Sequence, residues 1–197
     1  MYFEAHQLYH VYNRGNNRQQ VFFTPDNYLF FLKKLRYHLR PHCHILAYCL
    51  MPNHFHLLLY TTPTGTQERP TASSLKQPLT QGIAAVLSSY AHALNKLNGN
   101  SGAVFQAKTK IKLVSGTDEN YPRACFHYLH QNPVRAQLAT TLAAWPYASY
   151  RDYAGLRGGT LCDQMLAREL LDLPADHASF QSESERAINV DTIQGWI

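Results

Sequence analysis

From residue 6 to residue 14 apolar and polar positions alternate, with Leu8, His10 and Tyr12 on one face and Gln7, Tyr9 and Val11 on the other. That alternation predicts a first strand, which Gly15-Asn16-Asn17 breaks. Thr24-Pro25-Asp26 reads as a helix start, a capping hydroxyl followed by proline in the first turn. Tyr28, Phe31, Leu32, Leu35 and Leu39 continue it as a helical stripe, and Pro41 stops it. Residues 44–50 and 54–60 are two further strands, and the short Met51-Pro52-Asn53 link between them predicts an antiparallel hairpin. Residues 61–76, rich in Thr, Ser, Pro and Gly, are expected to form a mobile loop.

Leu79, Ile83, Val86, Leu87, Tyr90, Leu94 and Leu97 then recur at helical spacing over 78–97, and Asn98-Gly99-Asn100 ends that helix. A fourth strand is expected over 108–114, with Lys108, Lys110 and Lys112 on one face and Thr109, Ile111 and Leu113 on the other. Thr117-Asp118-Glu119 is placed to cap a last helix, which carries Tyr128 and is closed by Asn132-Pro133. The order β-α-β-β-α-β-α predicts an α+β fold: a ferredoxin-like, split βαβ palm with a four-stranded antiparallel sheet and one added helix. Residues 1–155 would be that domain, and 156–197 a C-terminal extension.

Charge refines this picture. The chain of 197 residues carries a formal net charge of +5. Residues 1–160 hold 16 Lys and Arg against 6 Asp and Glu, whereas residues 161–197 hold 2 against 7. A basic body with an acidic tail suits a polyanionic partner such as nucleic acid. Four cysteines (Cys43, Cys49, Cys125 and Cys162) include no Cys-x-x-Cys pair, so reduced, buried thiols are expected rather than a zinc knuckle or disulfide framework. No apolar run reaches the roughly 20 residues that span a bilayer, and the N-terminus lacks the layout of a signal peptide. A soluble, cytoplasmic protein without a membrane partner is the expectation.

Candidate chemistry begins at Met51-Pro52-Asn53-His54-Phe55-His56. On a strand His54 and His56 project side by side, a spacing that can hold one divalent metal ion. An isolated His-x-His pair is equally an ordinary piece of strand, and His42-Cys43-His44 is read that way, as surface or hairpin packing. The second segment is Cys125-Phe126-His127-Tyr128-Leu129-His130-Gln131-Asn132-Pro133-Val134. It sets a tyrosine on a helix with polar side chains three and four residues later, on the same face. A metal-binding His pair and a helical tyrosine are what attack on a phosphodiester by a phenolic oxygen requires. Tyr121, two turns earlier, competes for the same role. His127 and His130 flank the nucleophile and are read as DNA contacts or as solvated residues of the helix face.

Together the two segments resemble the HUH single-tyrosine transposases, in particular the REP-associated tyrosine transposases. His54-Phe55-His56 is similar to that family's His-hydrophobic-His element, and Tyr128 to Val134 to its Tyr-x-x-x-Asn-Pro-Val element. Further similarities, in order, are His10 to Asn16, Gly102 to Gln106 and Trp145 to Tyr150, so the resemblance covers roughly residues 6 to 155. It implies Tyr128 as nucleophile, His54 and His56 as metal ligands, and Asn132 as third ligand with Gln131 as the fallback. The implied cofactor is Mg²⁺ or Mn²⁺, with no nucleotide cofactor, and the implied partner is single-stranded DNA folded into hairpins. A monomer is favoured over a dimer.

Asn13, Arg14 and Arg18 sit where that family contacts DNA, and Lys108, Lys110 and Lys112 add a row suited to its backbone. The implied activity is cleavage and rejoining of DNA strands through a 5′-phosphotyrosine intermediate. Two alternatives stand beside it: a catalytically silent, hairpin-binding regulatory protein descended from a transposase, and an HUH replication initiator or relaxase. An RNA-binding sheet is disfavoured because its aromatic signature is missing. In the acidic extension, Thr160-Leu161-Cys162-Asp163 starts a short helix with Leu166, Leu170 and Leu171 as its stripe. A docked helix followed by a disordered end is expected there; the alternative is a negative segment that competes with DNA phosphate for the basic surface.

Overall fold

The computed structural model describes residues 1–71, 74–116 and 120–186. Strand β1 (Leu8–Arg14) leads through a single helical turn at Asn16–Arg18 to α1 (Pro25–His38), the hairpin β2 (Cys43–Met51) and β3 (His54–Thr61), and a short α2 (Pro63–Thr66). A ribbon of β4 (Arg69–Pro70) and β5 (Leu75–Lys76), the long α3 (Pro78–Asn98), β6 (Lys110–Leu113) and α4 (Tyr121–Arg135) follow. The C-terminal part holds α5 (Tyr150–Tyr153), α6 (Gln164–Leu170) and α7 (His177–Glu185). The main sheet has the order β2-β3-β1-β6, with every neighbouring pair antiparallel. This is the expected α+β, four-stranded split βαβ arrangement.

One face of the sheet is the apolar core. Val11, Phe55, Leu57 and Leu59 are buried there, and Phe31 of α1 meets Phe55 at 5.1 Å and Tyr90 of α3 at 5.1 Å between ring centroids. Each such side chain contributes about 1.5–3 kcal/mol by leaving water. α1 and α3 pack closely at Gly82, where a Cβ would meet the His38 carbonyl oxygen at 2.4 Å. The opposite face carries Leu8, His10, Tyr12, His54, His56 and Leu58, because Tyr12 pairs with His56 and His10 with Leu58 in register. α4 lies against β2 and β3. The outer edge of β2 is covered by the Trp145–Tyr150 segment: Leu50 N donates to Tyr147 O, and Ser149 N to Tyr48 O. Tyr147 stacks on Tyr28 at 3.7 Å, so that edge is closed to pairing with other chains.

Several expectations are corrected. Residues 61–76 are not a bare loop: Thr62 caps α2 by accepting from Gly65 N, and Arg69 pairs with Lys76 across the β4–β5 ribbon. The fourth strand is shorter than 108–114. Lys108 lies before it because the Asn13 amide holds Gln106 O at 3.1 Å and Thr109 Oγ1 at 3.0 Å, keeping that approach out of the ladder. α4 does not close at Asn132-Pro133 but runs through Pro133 to Arg135. The capping role given to Thr117-Asp118-Glu119 lies outside the described residues.

The acidic extension starts as read, with Asp163 Oδ1 accepting from Leu166 N at 3.1 Å. It then forms a second docked helix, α7, where disorder was expected; residues 187–197, Asp191 among them, lie outside the described residues. α7 is held to α4 by Glu183, which accepts from Arg123 Nε at 2.6 Å and pairs with His127 Nε2 at 2.7 Å. Phe180 is fully buried beneath it.

Candidate active site

The two-residue link Pro52-Asn53 starts β3 with His54, and strand parity brings His54 and His56 to one face with their rings 4.9 Å apart. His54 Nδ1 lies 2.6 Å from Asn53 Oδ1. An amide oxygen only accepts, so His54 Nδ1 donates and its Nε2 keeps the lone pair. His56 is 2% exposed, and its Nε2 has no hydrogen-bond partner among the described residues. Burial, together with Arg14, brings the His54 pKa down to about 4, and burial followed by His10, His54 and Arg14 holds His56 well below the ordinary range. Both rings are therefore neutral at pH 7, the form that binds metal. A bare, buried imidazole nitrogen beside a second neutral imidazole fits a divalent cation. Among the described residues, no three His, Cys, Asp or Glu gather into a metal cluster, so further ligands would be amide oxygens, water or substrate.

Tyr128 of α4 faces this pair, its ring 6.2 Å from that of His56. It is 1% exposed. Burial raises the phenol to about 12, partly offset by the Arg135 guanidinium, 5.8 Å from the ring centre, and by the nearby Asn132 amide. The Asn132 amide nitrogen donates to the Tyr128 carbonyl at 3.0 Å, which sets Asn132 on the same side of the helix as Tyr128. Gln131 points elsewhere: its amide donates to Ser184 O at 2.9 Å and Arg186 O at 2.7 Å. Tyr121 lies against β6, under the Lys112 ammonium at 5.2 Å.

His127 and His130 take neither of the roles read for them. Both are buried, His127 bonded to Glu183 and Ser184, and His130 to Ser149 at 2.7 Å. His44 pairs with Asp163 at 2.9 Å, in keeping with a packing role for the His42–His44 element.

A cleft of about 220 Å³ opens beside the imidazoles, lined by Tyr12, Asn13, Arg14, His54, His56, Gln106 and Lys110. Of the basic residues singled out, Arg14 and Lys110 line it; Lys108 is exposed ahead of β6, and Lys112 is partly buried beside Tyr121. Asn13 is 2% exposed, and its amide is committed to the 106–109 segment, so it shapes the cleft wall rather than offering a free donor. Arg18 sits in a tight turn beside the hairpin: its N–H donates to Gly15 O and its carbonyl receives Asn53 Nδ2 at 3.4 Å. Gly15 is required in that turn because a Cβ would meet Gln19 O at 2.1 Å.

Two site residues escaped the sequence reading. His10 Nε2 lies 2.9 Å from His56 Nδ1, and Tyr12 stacks on His10 at 4.8 Å while standing 5.7 Å from His56. Their place on the face of Leu8, His10 and Tyr12 was readable; that β1 lies beside β3 was needed to use it.

No family model and no curated protein matches this sequence. Among solved structures, the chain is similar to a REP-associated tyrosine transposase bound to a REP hairpin, with a TM-score of 0.57 at 19% identity, covering 96% of this chain and 97% of that one. The two share a fold over nearly their whole lengths. A bacterial tRNA(His) guanylyltransferase-like protein in complex with GTP gives a TM-score of 0.42 at 7% identity over 67% of this chain and 64% of that one, too slight a likeness to bear on function. No described helix is long and apolar enough to cross a membrane.

Proposed function

We propose that this protein is a metal-dependent DNA transposase that binds single-stranded DNA hairpins, cleaves beside them and rejoins strands through a 5′-phosphotyrosine. The observation that carries this reading is the meeting of Tyr128 with the His54–His56 pair across the sheet–α4 interface, where the buried Nε2 of His56 has no hydrogen-bond partner among the described residues. The shared fold with a hairpin-bound REP-associated tyrosine transposase supports the same substrate class.

In the proposed reaction the Tyr128 phenolic oxygen attacks phosphorus, and an O–P bond forms as the bond to the 3′ oxygen breaks. The phenol's proton passes to solvent, and the departing oxygen takes up a proton as a 3′-hydroxyl. A 3′-hydroxyl of a second strand reverses these steps, releasing Tyr128 and joining the strands with no nucleotide cofactor. Arg14 and Lys110 sit where the cleft can hold the DNA backbone, and Arg18 and Lys108 would extend that contact. His54, His56 and Asn132 would hold Mg²⁺ or Mn²⁺, which when bound supplies Lewis-acid charge at the scissile phosphate. Asn132 is favoured over Gln131 as third ligand because the Gln131 amide is bound to the Ser184 and Arg186 carbonyls. A cytoplasmic monomer remains the expected setting.

One observation favours a second reading, a hairpin-binding protein that does not cleave: the Tyr128 side chain is buried in this conformation. A labelled hairpin with single-stranded flanks, incubated with full-length protein and Mn²⁺ and run on a denaturing gel, separates the two. Cleavage with a covalent adduct, abolished by EDTA, supports the transposase. Tight binding with neither product establishes the silent binder.

A further inference from the structure

We propose that His10 is a positioning residue that fixes the tautomer of His56. The inference rests on the reading of His54 and His56 as metal ligands. His10 is 1% exposed and His56 2% exposed, and the 2.9 Å approach of His10 Nε2 to His56 Nδ1 joins residues 46 apart in the chain. One of these nitrogens donates and the other accepts. If His10 donated, His56 would carry its own hydrogen on Nε2 and could not offer that nitrogen to a cation. If His56 donates, its Nδ1–H is satisfied and Nε2 is left as a lone pair, the form a cation needs.

The geometry also separates His10 from the ligands themselves. A partner at Nδ1 lies on the far side of the imidazole from Nε2, so His10 stands behind His56 and does not compete for an ion. Tyr12, stacked on His10 at 4.8 Å with 28° between planes, holds the His10 ring in that position. His54 has the same arrangement, with Asn53 Oδ1 accepting from its Nδ1. Each imidazole of the pair is thus backed by an acceptor, one from the hairpin turn and one from the neighbouring strand. Such partners orient metal-binding imidazoles, and their loss typically weakens metal affinity about 10- to 100-fold.

The test uses the full-length protein labelled with ¹⁵N at histidine. Long-range ¹H–¹⁵N spectra of the metal-free protein, with His56 assigned by comparison with His56→Ala, should show hydrogen on Nδ1 and none on Nε2. Hydrogen on Nε2 in the wild type overturns the proposal without any variant at His10. Calorimetric Mn²⁺ titration should then show His10→Leu binding about 10- to 100-fold more weakly than wild type. His10→Gln, whose amide oxygen can accept from Nδ1, should recover most of that loss. His10→Leu binding Mn²⁺ as tightly as wild type refutes the positioning role. Wild-type binding that His54→Ala and His56→Ala leave unchanged refutes instead the metal reading on which the inference stands, even where the tautomer is as expected.

Discussion

Replacing Tyr128 by Phe removes one oxygen from a side chain that is 1% exposed. The ring keeps its place against His56 and under Arg135, so packing is unchanged. The polar surroundings of the hydroxyl are lost, but the hydroxyl no longer has to be buried, and the two effects largely offset each other. The net change in stability should stay within about 1 kcal/mol, a shift in Tm of no more than about 4 °C for a chain of this size. Activity should respond quite differently. With its pKa raised to about 12, the phenol is ionised in roughly one molecule in 10⁴ at pH 8, and reaching the phenolate costs about 5 kcal/mol. Wild-type adduct formation should therefore rise about tenfold per pH unit between pH 7 and pH 9, and the Phe variant should form none at any pH. The assay is a labelled hairpin oligonucleotide, Mn²⁺ and a denaturing gel, with calorimetry for the Tm. A persistent adduct in Tyr128→Phe refutes the assignment. If Tyr12→Phe then abolishes it, the nucleophile is the cleft tyrosine 5.7 Å from His56.

His54→Ala or His56→Ala should each abolish Mn²⁺-dependent cleavage while changing hairpin affinity only a few-fold, and Asn132→Ala should cost less because water can replace an amide oxygen; cleavage and gel-shift assays on the same oligonucleotide check all three. Arg14→Ala and Lys110→Ala should each reduce the slope of log affinity against log salt by about one. Asn13→Ala should leave that slope unchanged but lower stability by about 1–3 kcal/mol in urea unfolding, since the 106–109 segment loses its clamp. Glu183 has a carboxyl pKa below the usual range: burial raises it, but its bonds to Arg123 and His127 outweigh that. Its stabilisation is thus present above the unfolded-state carboxylate pKa and lost as pH falls through the lowered folded value. Urea unfolding should show that loss below about pH 4, and Glu183→Gln should flatten that limb and lower stability at pH 7.

Much of the scaffold was readable locally. The alternation through Leu8–Tyr12 and the hairpin at Pro52-Asn53 depend only on neighbouring residues and located three strands of the main sheet; the 108–114 alternation located the fourth, at greater length than Lys110–Leu113. Pro133 was misread because a proline usually closes a helix; here it falls within the last turn, where α4 continues only to Arg135. The loop at 61–76 was misread because its composition hides a capped turn at Thr62 and a two-residue ribbon.

The amino-acid sequence by itself determined that His54 and His56 share a strand face and that Tyr128 and Asn132 share a helix face, since parity and helical spacing are properties of one segment. It left open which tyrosine meets the imidazoles, and it concealed His10. Tertiary structure decided these points: the register of β1 against β3 sets His10 behind His56, and the packing of α4 on the sheet selects Tyr128 over Tyr121. The docking of α7 turns Gln131 away and leaves Asn132 beside Tyr128, and the fold turns the Asn13 amide inward. The physical reason is that each of these contacts joins segments distant in the chain, and burial of the whole apolar surface, rather than any local preference, fixes how such segments meet.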